Sequence, residues 1–469
     1  MTLIKNREQL LSHGNQALRM AAIDILEAGL AAADPYKATH RLVRRQGDEL
    51  SVGDMRLHLS QFDRVFILGT GKASRGIGQA LEEILGDRIA GGVFVLKHGD
   101  QANLRFVKVI YAGHPVPDEN SYSGACALLG LSSSCTERDL VFAAITGGSS
   151  ALVSYPVPGM TFQDKRRVHE LLLLSGADIH QVNAVRKHLS RIKGGCLARA
   201  VLPATLVNLT VSDVVGDALD YITDPTVPDT STFEDARAVL DEFDLWGDFP
   251  PAAAEYLRAG NHELETAKDF DGLPLFSFLL VPSDASALGA LERARALGFQ
   301  SMILTVRLEG EAREAGKFLA AIGQEVCLRR RPVPPPCCII VAGENTVSIG
   351  SGARGEGGPN QELALSASLG MRSLDNMLIA SLDTDGEDGT TEAAGAMVEN
   401  STVTTARAKG LDPRMALKRH DTYPFLRETG DLIQTGPTGT NVSDLYLLLT
   451  GSHAGDLGGG EAGRHDCAS

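Results

Sequence analysis

The sequence is poor in aromatic residues, which make up 5% of the chain with a single tryptophan. Its cores must therefore be built from aliphatic side chains. It has seven cysteines in 469 residues. None forms a CxxC pair and none is spaced from a histidine like a zinc ligand, so buried thiols in a reducing compartment are expected. The N-terminal MTLIKNREQLL has no apolar signal-peptide core. No stretch approaches the roughly 20 apolar residues of a membrane span. A soluble, cytoplasmic protein is the expectation. Basic residues are also in deficit, leaving a net charge of −15, which argues against nucleic acid or an anionic membrane as the main partner. An anionic small ligand is not excluded, because it responds to the local field of its pocket.

Glycine, by contrast, is abundant at 50 residues, and the apolar fraction of 43% is ample for buried cores. This mixture suits α/β domains with many tight turns. The length suggests two to four domains at roughly 150 residues each. Residues 6–33 read as one long amphipathic helix ended by Asp34-Pro35. A βαβ unit follows. Val65–Leu68 is a short apolar strand, Gly69-Thr70-Gly71 a tight loop, and Ile77, Leu81, Ile84 and Leu85 recur at helical spacing. Lys72 stands where the loop becomes a helix. Amides at such a turn point outward and the helix start favours negative charge, so a phosphate or carboxylate fits there. The glycine-to-lysine spacing is too short for GxxxxGK[ST], and residues 69–74 are not a full GxGxxG either.

Further strands end in further polar turns. Residues 106–112 lead into GHPVPDENS with His114 and Asp118, and 139–145 into TGGSSALV with Ser149 and Ser150. Glycine and hydroxyl turns on successive strands put amides and hydroxyls on one sheet edge, which favours an anion site. Residues 164–175 read as a helix. The run NAVRKHLSRIKGGCLA places Asn183, Arg186 and Lys193 on one helical face, a basic cluster in an acidic protein. Leu206–Val211 is a strand followed by Ser212 and by Asp213 and Asp217, two carboxylates suited to general-base work or to Mg²⁺. Residues 247–272 look like the inter-domain connection. Beyond it the α/β pattern resumes, with RRRPVPPP (329–336) as a connector inside the second domain. A third glycine loop, 350–358, feeds a helix opened by Asn360, Gln361 and Glu362. Asp383, Asp385 and Asp388 follow a strand at 377–382, with Ala394 where a calcium loop needs its bidentate glutamate. The tail from Gly451 is polar and glycine-rich, and reads as flexible.

As an ordered set these motifs resemble the class II glycerate 2-kinases with a C-terminal MOFRL domain, a family often named hydroxypyruvate reductase. The matching pieces are GTGKAS (69–74), GHPVPDENS (113–121), TGGSSALV (146–153), NAVRKHLSRIKGGCLA (183–198), VSDVVGD (211–217), GGPNQELAL (357–365), DTDGEDGTTEAAGA (383–396) and PTGTNVSDL (437–445). The resemblance implies two α/β domains with the active-site cleft between them. The first is a Rossmann-like N-terminal domain with a mainly parallel sheet over 1–265. The second is a smaller α/β domain over 266–450, with its MOFRL region at 337–450 and a tail at 451–469. It implies transfer of the ATP γ-phosphoryl group to the 2-hydroxyl of D-glycerate, with Mg²⁺. Lys72 matches the family's essential lysine and Asp213 its DVxGD carboxylate.

The expected roles are then catalytic for Lys72, Asp213 and Arg186, and substrate-binding for Ser149, Ser150, Asn183, Lys193 and His114. Gly355, Gly357, Gly358, Asn360, Glu362 and Asp385 would contact the nucleotide, and Asp213 with Asp217 the metal. Two positions depart from the family pattern. Pro359 replaces the usual arginine, for which Arg354 is a candidate substitute, and Thr223-Asp224-Pro225-Thr226 replaces Ser-Gly-Pro-Thr. The alternative activity is a nicotinamide-dependent hydroxypyruvate or tartronate oxidoreductase; a non-enzymatic small-anion binder would keep the basic cluster without needing Asp213. Expected partners are small molecules, not nucleic acid or membrane. The oligomeric state stays open, with a homodimer among the alternatives.

Overall fold

A computed structural model describes residues 2–214, 216–222, 224–349, 355–371 and 374–451. Thr223, Arg354 and the tail beyond Gly451 lie outside the described residues. The chain forms two compact units: one holds Asp34–Pro282 and Gly439–Asn441, the other Met1–Ala33, Ser283–Thr438 and the chain from Val442 onward.

The Asp34–Pro282 unit begins with a small antiparallel sheet of β1 (Val43–Gln46), β2 (Glu49–Val52) and β3 (Met55–His58). Its main sheet holds β4 (Arg64–Thr70), β5 (Ile89–Lys97), β6 (Lys108–Ala112), β7 (Asp139–Ile145), β8 (Thr205–Val211) and β9 (Leu275–Val281). All neighbours are parallel, in the order β6-β5-β4-β7-β8-β9. The strands are near-continuous apolar runs because helices cover both faces. Phe66 and Leu68 join Val141, Ala143 and Ile145 in one cluster, while Val65 and Ile67 are buried on the other face. The strand order reverses between β4 and β7. In open parallel sheets ligands bind outside the C-terminal strand ends at such a reversal. The turns 69–72 and 146–150 occupy that edge.

The second unit carries β10 (Gln300–Glu311), β11 (Cys337–Thr346), β12 (Met377–Asp383), β13 (Gly395–Glu399), β14 (Leu432–Ile433) and β15 (Asp444–Thr450). Their order is β10-β11-β15-β12-β13-β14, with β10 parallel to β11 and every other pair antiparallel. Alternate residues of β11 face opposite cores. Cys337, Ile339 and Val341 pack with helices Ala312–Arg329 and Pro359–Gly370. Cys338, Ile340 and Ala342 pack with Leu18, Ala22, Ile25 and Leu26 of Gln16–Ala32 and with Ala287 and Ala290 of Ala285–Ala296.

This packing corrects the sequence-based boundaries. The N-terminal helix belongs to the unit of the later sheet, because its apolar stripe covers a face of β11. The single helix expected over 6–33 is two, Arg7–Leu10 and Gln16–Ala32, the second capped by Asn15. Residues 247–272 are not an inter-domain connection: they contain the helix Pro251–Ala259, whose Ala253, Ala254 and Leu257 are core residues of the first unit. The chain crosses between units at Pro282/Ser283.

One buried arginine ties the N-terminal helix to its unit. Arg19 is fully buried, ion-paired with Glu399 and, at 2.8 Å, with Asp431, and it donates to the Leu10 carbonyl at 3.2 Å. Arg19→Met leaves buried Glu399 without its cation and Asp431 with His13 alone. The expected loss of unfolding free energy is about 3–5 kcal/mol, measured by denaturant titration; an unchanged midpoint would contradict this role.

Candidate active site

At the sheet reversal the two turns are joined through their backbones. Thr146 N donates to Thr70 O at 3.0 Å, and Lys72 N to Gly147 O at 2.9 Å. Ala73 N donates to Thr146 Oγ1 at 3.2 Å. Gly71 has φ +111°, and a Cβ there would lie 2.3 Å from Thr146 Oγ1, so only glycine allows this approach. Helix Ser74–Leu85 then starts directly after Lys72 and Ala73.

The second turn gathers the polar groups. A Cβ on Gly147 would fall 1.7 Å from Asp213 Oδ2, so the Asp213 carboxylate, carried on the end of β8, lies against the bare Gly147 backbone. Asn441 Nδ2 donates to the same oxygen at 2.8 Å. Gly148 has φ +82°; a Cβ there would lie 3.1 Å from His114 Nε2 and 3.2 Å from Lys72 Cγ. Lys72, His114, Asp213 and the turn at 147–148 thus share one edge, although the sequence separates them widely. Ser149 is buried at the start of the short helix Ser149–Leu152. Asp217 follows on the same loop as Asp213, at φ 58°.

A cavity of about 260 Å³ opens beside this turn. His114, Gly148, Ser150, Lys165, His169 and Arg186 line it on the polar side, and Met160, Phe162, Val168 and Leu189 on the apolar side. Arg186 lies on helix Ile179–His188 and donates a long hydrogen bond, 3.5 Å, to Asn183 Oδ1. Burial lowers the Arg186 pKa and Asp224 opposes it, but a guanidinium stays charged. Lys193 is almost fully buried and bonds Ser150 Oγ and Asp224 Oδ2, each at 2.6 Å. The other Asp224 oxygen accepts from Gly194 N at 2.6 Å. The departure at Asp224 thereby has a structural account: it neutralises Lys193 and closes the Gly194-Gly195 turn. Burial lowers the Lys193 pKa, with Asp224 opposing that shift.

Lys165 was not singled out by the sequence. It sits on helix Phe162–Ser175, capped by Thr161 and Asp164. Its Nζ is sealed from solvent and has no hydrogen-bond partner among the described residues. Burial, then Lys193 and Arg186, pushes its pKa down to about 7 against the pull of Asp224.

The residues expected to meet the nucleotide lie in the other unit. Asn360 and Glu362 are buried there. Asn360 Nδ2 donates to Asp444 Oδ1 at 2.7 Å, and Glu362 pairs with Arg313 at 2.6 Å and with His420 at 3.0 Å. The helix they open is capped from inside, since Asp388 accepts from Asn360 N at 3.0 Å and Gln361 N at 2.9 Å. Burial nonetheless raises the Asp388 pKa to about 7. Pro359 occupies the first helical position, where a missing N–H costs nothing. Gly357 and Gly358 permit close backbone packing against Thr422 and Asp388, and Gly355 N donates to Arg419 O at 2.9 Å. Asp385 is half-buried in the loop after β12 and accepts from Glu387 N at 2.8 Å.

Among the described residues no helix is long and apolar enough to cross a membrane. Residues 21–258 match the model of a domain of unknown function, DUF4147, and residues 337–444 match the MOFRL family. The chain is 40% identical to the glycerate 2-kinase of Pyrococcus horikoshii, over 93% of this chain and 100% of that protein. It is 37% identical to the D-glycerate 2-kinase of Thermotoga maritima, over 92% and 99%. A crystal structure of a glycerate kinase from Thermotoga maritima superposes with a TM-score of 0.79 at 36% identity, covering 93% of this chain and 100% of that one. The chain belongs to the glycerate kinase family and carries both a DUF4147 and a MOFRL domain.

Proposed function

We propose that the protein transfers the γ-phosphoryl group of ATP to the 2-hydroxyl of D-glycerate, giving 2-phosphoglycerate and ADP. The observation that carries this reading is that Lys72 and Asp213 lie against the adjacent glycines Gly148 and Gly147 of one turn, beside a cavity lined by cations. Phosphoryl transfer asks a protein mainly for positioning and charge neutralisation. Asp213 accepts the proton of the 2-hydroxyl, as a carboxylate held by Asn441 Nδ2 can. Lys72 neutralises charge on the transferring phosphoryl group. The amides and hydroxyls at 147–150 hold substrate oxygens, and His114 and Arg186 fix the acid beside them. Lys193 acts through Ser150, whose hydroxyl it orients; Asn183 supports Arg186.

Mg²⁺ takes one or two carboxylates and completes its shell with phosphate oxygens and water. Asp213 and Asp217, partly exposed on one loop, are carboxylates of this kind. These two residues would hold the ion, which when bound would offset phosphate charge. For the nucleotide we keep the backbone at Gly355, Gly357 and Gly358 and the Asp385 loop; the Asn360 and Glu362 side chains are engaged within their own unit and are assigned support of that loop. A cytoplasmic location goes with substrates of this class.

The direct test incubates the protein with D-glycerate, ATP and Mg²⁺, and separately with hydroxypyruvate and NADH. Formation of ADP with 2-phosphoglycerate is expected. NADH consumption without ADP would overturn the proposal in favour of the oxidoreductase. Lys72→Ala should abolish turnover with an unchanged circular dichroism spectrum, and near-wild-type activity in that variant would refute its role. Gly147→Ala is a finer probe. The added methyl meets only the flexible end of Asp213 and the Asn441 amide, so thermal stability should hold while kcat falls about 100-fold from the displaced carboxylate. Full activity in Gly147→Ala would remove Asp213 from the reaction.

A further inference from the structure

The phosphotransfer reading leaves the buried Lys165 amine without work. Lys165 lines the same cavity as Arg186, and its Nζ has no hydrogen-bond partner among the described residues. A buried ammonium is stable only beside an anion or a full set of acceptors. The nearest acid is already taken, because both Asp224 oxygens are bonded to Lys193 and Gly194. Lys165, Arg166 and Arg186 thus line one cavity, and no carboxylate is among its lining residues. The apolar wall of Met160, Phe162 and Leu189 and the small volume suit a compact organic acid rather than a nucleotide.

We propose that Lys165 is a substrate-binding residue whose ammonium, together with Arg186, takes the carboxylate of the 2-hydroxy acid. The proposal rests on the phosphotransfer reading for the identity of the acid. Lys165 then sets specificity: it separates an acid acceptor from a neutral polyol or amide of the same shape, because only an anion repays the desolvation of the two cations. Binding also carries a proton signature. In the free protein the amine loses its proton near pH 7, and only the ammonium holds a carboxylate. Affinity should therefore fall as pH rises above about 7, by up to about tenfold per pH unit. The groups around it do not reproduce this. Arg166 and Arg186 stay charged, burial and the neighbouring cations Arg186 and Lys165 hold His169 below its ordinary value, and Lys193 is paired with Asp224. His114, which also lines the cavity, is common to all variants.

The test measures binding of D-glycerate and of its uncharged amide to the full-length protein by calorimetry, alongside KM for ATP. Lys165→Met should weaken D-glycerate binding about 10- to 100-fold, the range of one charge-assisted hydrogen bond, and leave amide binding and KM for ATP unchanged. Lys165→Arg should restore most of the affinity and abolish its fall between about pH 7 and 9. Unchanged D-glycerate affinity in Lys165→Met would overturn the proposal. Equal losses for acid and amide would reduce Lys165 to a structural role, and a raised KM for ATP would move it to the nucleotide; either overturns the proposal. If the wild type binds D-glycerate through Lys165 yet makes no phosphoglycerate, the phosphotransfer reading fails and this one stands. If it binds no D-glycerate, both fail.

Discussion

The site depends on how closely two parallel strands can bring their turns together. The Lys72 amide reaches the Gly147 carbonyl at 2.9 Å because Gly71 carries no side chain where Thr146 already stands, and Asp213 rests against the bare Gly147. That backbone stitch fixes where the Lys72 stem leaves the sheet and where Asp213 rests. The strand order reverses at the same place, so the edge is open to a ligand rather than closed by a crossover helix. Positioning here is a property of backbone, which thermal motion disturbs less than long side chains.

Charge is arranged around that edge against the trend of the molecule. The chain carries −15 overall, yet Lys72, Lys165, Arg186 and Lys193 converge on one turn and its cavity. They are treated differently. Asp224 neutralises Lys193, which frees that lysine to hold Ser150 in place. Arg186 and Lys165 are left to a ligand. Removing water from such cations strengthens their attraction for an incoming anion, and the apolar wall does this.

Much of the fold was legible because its strands are short apolar runs closed by glycine turns. Asp139–Ile145 and Leu275–Val281 fall where periodicity put them, and Val65–Leu68 is the centre of a longer strand, Arg64–Thr70, that takes in Gly69 and Thr70 of the expected loop. The small β1–β3 sheet was missed, since Arg44, Arg45 and Glu49 mask its alternation. The N-terminal helix was read correctly as amphipathic, but an apolar stripe does not say which sheet it covers; Leu18 and Ile25 pack on β11, over 300 residues away. At the site, Lys72, Asp213 and Ser150 stood in motifs. Lys165 did not, because its role comes from burial of one amine, which no spacing encodes. Asn360 and Glu362 looked like ligand contacts because polar residues at a helix start often are; Asp388, 26 or more residues later, supplies the cap instead.

The central claim is that the acceptor binds at the reversal edge of the parallel sheet. Hydrogen–deuterium exchange of the full-length protein, with and without saturating D-glycerate, tests it most directly. Slowed exchange in peptides covering 146–153 and 162–188 is the predicted result. Protection confined to peptides covering 355–389, with the 146–153 turn unchanged, would contradict the account.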